Sequence, residues 1–118
     1  MGAQVGNGDV IRPLSNPVCR QGPLAEMHDA ASLHAAMQGC DAVIHLGGYS
    51  IEGPFAPIME ANILGLYNLY EAARANGQPR ILFASSNHVV GFHAQSDVID
   101  ASAMPRPDSL YGVSKVFG

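Results

Sequence analysis

Two short apolar runs flank one long amphipathic stretch in this chain, and that pattern predicts a strand–helix–strand unit. Ala42-Val43-Ile44-His45-Leu46 is mostly apolar, the form of a strand buried on both faces. From about residue 56 to 76, Met59, Ile63, Leu66, Tyr70 and Ala73 recur at spacings of three and four, which makes one apolar helical stripe. Asn76-Gly77 ends that helix and Pro79 reinforces the stop. Arg80-Ile81-Leu82-Phe83-Ala84 is a second strand of the buried type. A unit of this length implies parallel strands and a right-handed crossover. Upstream, Asp29 suits the N-cap of a helix over residues 30 to 38, with Leu33 and Met37 on one face and Gly39 just beyond it. Residues 1 to 25 scatter Gly, Pro and Asn among short apolar pieces, of which Val10-Ile11 reads as a strand ended by Pro13. The expected fold class is α/β, a parallel sheet flanked by helices within one domain over residues 1–118.

Composition narrows the function classes. With 47% hydrophobic and 14% charged residues in 118, the chain reads as globular and long enough to bury a core. A formal charge of -4 gives no electrostatic footprint for nucleic acid or an anionic membrane. No apolar run approaches the roughly 18 residues of a membrane span, and the first residues do not look like a signal peptide. Cys19 and Cys40 read as two reduced thiols of a cytoplasmic protein, and no His, Cys, Asp and Glu cluster suggests a metal.

In a parallel sheet, ligands bind beyond the carboxyl ends of the strands, where Gly47-Gly48 and Ser86-Asn87-His88 fall. Further on, Lys115 follows Tyr111 by four residues, so on a helix the two share one face. A nearby ammonium favours the ionised form of a phenol, and a serine hydroxyl can hydrogen-bond an oxygen that loses a proton. Taken singly these features have plain explanations: a chance Tyr-x-x-x-Lys pair, an ordinary Gly-Gly turn. Asn62 reads equally as an exposed polar residue or a buried amide bracing the active-site strand, and Gly65 as close packing of helix on sheet. His28 and His34 read as surface residues, His45 as a satisfied core histidine, and His88 as a contact to substrate. Gly2, Gly6 and Gly8 have a dinucleotide-loop spacing, but nothing after them reads as the helix such a loop requires.

Four segments together carry a family resemblance: Gly-Cys-Asp-Ala-Val-Ile-His-Leu-Gly-Gly (39–48), Asn-Ile-Leu-Gly-Leu-Tyr-Asn-Leu-Tyr-Glu-Ala-Ala-Arg (62–74), Phe-Ala-Ser-Ser-Asn-His (83–88) and Leu-Tyr-Gly-Val-Ser-Lys (110–115). The chain from about residue 39 to 118 resembles the extended short-chain dehydrogenase/reductase superfamily, in its NAD-dependent epimerase/dehydratase group. Ser-Ser-Asn-His, and Gly-Gly where sugar-nucleotide enzymes more often carry Ala-Ala, make it most similar to the uronate dehydrogenases. The resemblance implies a Rossmann fold, NAD as cofactor, and oxidation of C1 of a hexuronate to an aldarolactone. It implies Tyr111 as proton acceptor, with Lys115 holding the nicotinamide ribose and lowering the pKa of the phenol, and Ser86 bonding the reacting oxygen. Ser50, Asn87 and His88 would contact the sugar acid; Leu46, Gly47 and Gly48 would line the cofactor, with Glu26 and Met27 near the adenine.

The family begins with a strand and a Gly-x-x-Gly-x-x-Gly loop that this chain lacks, and only Asp9 or Asn16 could stand for its ribose-binding acid. Its C-terminal substrate-binding part would lie beyond Gly118. The expectation is therefore a partial Rossmann domain, a fragment inactive by itself, from a homo-oligomeric enzyme. A sugar-nucleotide epimerase or dehydratase shares Tyr111 and Lys115 but returns the hydride to its substrate, and a non-catalytic remnant or interaction module is the reading from another class.

Overall fold

Val43 pairs with Ile81 and His45 with Phe83 where β1 (Ala42–His45) and β2 (Arg80–Phe83) run parallel, in a computed structural model that describes residues 25–118. The expected strand at Val10-Ile11, the glycines Gly2, Gly6 and Gly8, Asp9, Asn16 and Cys19 lie outside the described residues. Between the strands the chain runs as one continuous helical stretch: α2 (Phe55–Ile58), a π-helical segment (Met59–Leu64) and α3 (Gly65–Ala75). α1 (Ala30–Ala36) precedes β1, and α4 (Leu110–Phe117) closes the order.

α1 starts where its cap dictates. The Asp29 carboxylate accepts from Ala31 N at 3.0 Å and Ser32 N at 3.2 Å, satisfying two of the first-turn amides. The helix is shorter than the sequence predicts, ending at Ala36, and Gly39 at φ 71° turns the chain into β1. Leu33 and Met37 are fully buried beside Val43, Leu66, Leu69, Ala72 and Ala73. Each large side chain withdrawn from water here contributes about 1.5–3 kcal/mol. Cys40 is buried too, and burial, then the Asp41 charge, push its thiol pKa up, the condition of an inert cysteine.

Three expectations need correction. The strands are not buried on both faces: Val43 and His45 are covered, whereas Ile44 is 38% and Leu82 64% exposed. Among the described residues α1 and α3 pack against the Val43–Ile81 face, leaving the alternate side chains open. The long helix also does not keep a single 3.6-residue period. The π segment shifts the buried stripe to Ile58, Asn62, Gly65-Leu66, Leu69 and Ala72-Ala73, so that Met59 and Ile63 are only half-buried. Gly65 is a close-packing glycine, but its neighbour is Met27 rather than the sheet: a Cβ there would lie 2.9 Å from Met27 Cβ.

Candidate active site

The loop leaving β1, the π segment and α4 meet at one buried amide. Asn62 Oδ1 accepts from Tyr49 N at 2.7 Å, while its Nδ2 donates to Tyr49 O at 2.9 Å and Ser114 Oγ at 2.8 Å. Ser114 Oγ in turn donates to Tyr111 O at 2.7 Å. Asn62 is thus the bracing amide and not the exposed polar residue, and it braces a loop and a helix rather than a strand. Gly48 makes the arrangement possible. Its φ of 125° belongs to glycine, and a Cβ would lie 2.5 Å from Asn62 Oδ1.

Beyond β2 the chain turns sharply at Ser86, which is extended and caps a 3₁₀ turn (Asn87–Val90), its Oγ accepting from His88 N at 3.2 Å. That turn sits on α4. The His88 ring meets the Tyr111 ring edge-on, with centroids 5.5 Å apart, and a Cβ at Gly112 would lie 2.5 Å from His88 O. Glycine in Tyr-Gly-Val-Ser-Lys is therefore what lets the 3₁₀ turn close on the helix. His88 Nδ1 lies 2.8 Å from Asp108 Oδ1, and this contact is the main reason the Asp108 pKa falls below its ordinary value.

α4 is capped twice. Ser109 Oγ accepts from Gly112 N at 3.0 Å, and Glu52 Oε2 accepts from Tyr111 N at 2.7 Å. Tyr111 and Lys115 are both buried on this helix, one turn apart, and the Lys115 ammonium stands 4.4 Å from the centre of the Phe83 ring at the end of β2. Phe83 stacks on His45, which is buried in the manner of a core residue.

The structure therefore brings Ser86, Asn87, His88 and Tyr111 to one corner beyond the strand ends, with Lys115 one turn further along α4. Leu46, Gly47, Gly48 and Ser50 occupy the neighbouring loop, Leu46 and Ser50 exposed. Glu26 and Met27 lie apart, before α1: Met27 is in the core with its carbonyl accepting from Asn68 Nδ2 at 3.0 Å, and Glu26 is exposed, 3.8 Å from His28. His28 and His34 are surface residues. Glu52 and Asp108 went unnoticed in the sequence, since neither sits at a motif spacing from the group it touches. No group of three metal-ligating side chains exists among the described residues, and no described helix is long and apolar enough to cross a membrane.

Comparison with known proteins gives the lineage of this corner, because residues 10–118 match the NAD dependent epimerase/dehydratase family. The chain belongs to that family. It is 56% identical over 93 residues to uronate dehydrogenase of Agrobacterium fabrum, covering 79% of this chain and 35% of that one. Among solved structures, glucuronic acid dehydrogenase from Chromohalobacter salexigens superposes with a TM-score of 0.80 at 48% identity, covering 88% of this chain and 39% of the other. A tyrosine mutant of uronate dehydrogenase from Agrobacterium tumefaciens, complexed with NAD, superposes with a TM-score of 0.76 at 50% identity, covering 86% and 40%. The fold of this epimerase/dehydratase member is thus part of a Rossmann-type α/β domain, and the chain spans between 35% and 49% of the length of the curated uronate dehydrogenases it matches.

Proposed function

We propose that the protein carrying this chain is a uronate dehydrogenase that uses NAD to oxidise C1 of a free hexuronate, glucuronate or galacturonate, to an aldarolactone. The observation that carries the reading is the Ser86-Asn87-His88 turn seated against Tyr111, in a chain 56% identical to a uronate dehydrogenase. The strand ends suit a dinucleotide: Leu46 is 77% exposed, and Gly47-Gly48 follow β1 at its carboxyl end, where such ligands bind. Bound NAD would supply the acceptor for the hydride that leaves C1. Tyr111, as phenolate, takes the proton of the C1 hydroxyl, and the C1–O bond becomes the lactone carbonyl. Ser86 donates a hydrogen bond to that same oxygen, while Ser50, Asn87 and His88 hold the sugar acid. Lys115 reaches the ribose hydroxyls and favours the phenolate.

The test is NADH formation by the full-length protein supplied with NAD and either uronate. Absence of NADH with both, alongside turnover of a nucleotide sugar, would replace this reading by an epimerase or dehydratase. The same reading makes the protein a cytoplasmic homo-oligomer. Sedimentation of the full-length protein tests the assembly.

A further inference from the structure

We propose that Asp108 is a positioning residue for His88, holding the neutral imidazole in the tautomer protonated on Nδ1 so that Nε2 accepts a hydrogen bond from a hydroxyl of the sugar acid. The substrate half of this inference rests on the uronate dehydrogenase reading; the tautomer half does not. The Nδ1–Oδ1 contact is 2.8 Å. An ionised carboxylate can only accept, so Nδ1 must carry the hydrogen, and in the uncharged ring of this proposal Nε2 is then the acceptor. A ring acceptor suits a sugar hydroxyl and repels the sugar carboxylate, which assigns His88 to the hydroxyl edge of the substrate.

The surroundings are built for this pair. Asp108 N donates to His88 O at 3.3 Å, Arg106 N to Val89 O at 2.9 Å and Phe92 N to Arg106 O at 2.9 Å, so the segment carrying Asp108 is laced to the turn carrying His88. A Cβ at Gly91 would overlap the Asp108 carboxyl group, so glycine there gives the carboxylate its room. The imidazole also meets the Tyr111 ring edge-on, and Ser86 caps the backbone N–H of the same residue. Such an outer partner, orienting a ring that touches the ligand, sets both tautomer and direction.

Nitrogen-15 NMR of the histidines in the full-length polypeptide tests the tautomer without substrate. We expect a protonated Nδ1 and an unprotonated Nε2 for His88, and a shift toward the opposite tautomer in Asp108→Ala. Asp108→Asn, which keeps an acceptor oxygen, should stay closer to the parent. In uronate turnover, Asp108→Ala should raise KM about fivefold to tenfold, the worth of roughly one hydrogen bond, with kcat changed much less. A protonated Nε2 in the parent protein would overturn the proposal even if the variants failed to fold. Unchanged shifts and unchanged KM in a folded Asp108→Ala would do the same. If neither uronate yields NADH, the function and the hydroxyl contact fall together, while the NMR result still decides whether Asp108 sets the tautomer.

Discussion

The core beneath α1 and α3 and the corner around α4 are held by opposite means. Leu33, Met37, Val43, Leu66 and Leu69 touch one another without a polar atom among their side chains, and their burial is non-directional. At the corner, Asn62, Ser114, Glu52, Ser109, His88 and Asp108 each fix a neighbour through a directed bond of between 2.7 and 3.0 Å. The first region determines that the chain folds; the second determines where Tyr111 and Ser86 stand. Substitutions in the two should therefore separate stability from turnover.

The sharpest separation should come from Tyr111→Phe in the full-length protein. The ring and its contact with His88 persist, but the proposed proton acceptor is gone. General-base catalysis supplies about 10²–10⁴-fold, so kcat should fall on the order of a thousandfold, with NAD affinity by calorimetry and melting temperature nearly unchanged. Retention of more than about a tenth of parent activity, beyond the reach of a lost general base, would move the proton to another group, His88 first.

Leu69→Ala is the mirror experiment. Leu69 is fully buried, and truncation to alanine in a core costs about 2–5 kcal/mol. Urea denaturation should show that loss, while kcat per folded molecule stays near the parent value. A large kcat loss in the folded fraction would mean that core and corner are coupled more tightly than their separate contacts suggest.

Asn62→Ala falls between these. It strands Tyr49 N, Tyr49 O and one bond of Ser114, and a buried polar group left unsatisfied costs about 1–3 kcal/mol. Because the amide joins the β1 loop to α4, both melting temperature and kcat should drop, unlike either variant above. A change in stability alone would make Asn62 a core residue that happens to be polar.

The same division decides what the sequence could show. Core elements depend on local periodicity, so both strands, α1 with its Asp29 cap, and the long helix are legible from residue type and spacing. Exposure of Ile44 and Leu82 is not, because strand burial depends on what covers the sheet. Nor is the π segment, whose extra turn width serves contacts made by Asn62 with Tyr49 and Ser114, 13 and 52 residues away. Ser86, His88 and Tyr111 could be picked out because they occupy strand end and helix start. Asp108 and Glu52 could not, acting across 20 and 59 residues on groups that no local pattern links to them.

Glu52 gives the smallest expected effect and the finest test of the comparison. It is an exposed residue whose carboxylate accepts the Tyr111 N–H at 2.7 Å, a polar contact that holds the start of the helix. Glu52→Gln keeps an acceptor oxygen and removes only the charge, whose interaction with the helix N-terminus is worth about 0.3–1 kcal/mol and is screened by salt. A loss of that size in the full-length protein should lower the melting temperature slightly at low salt and not at high salt, with kcat within about threefold of the parent. Glu52→Ala also removes the cap, so about 1 kcal/mol should go and salt should no longer rescue it. If Glu52→Gln instead lost as much kcat as Tyr111→Phe, the carboxylate would belong to the chemistry, and the line between holding the helix and moving the proton would have to be redrawn through Glu52.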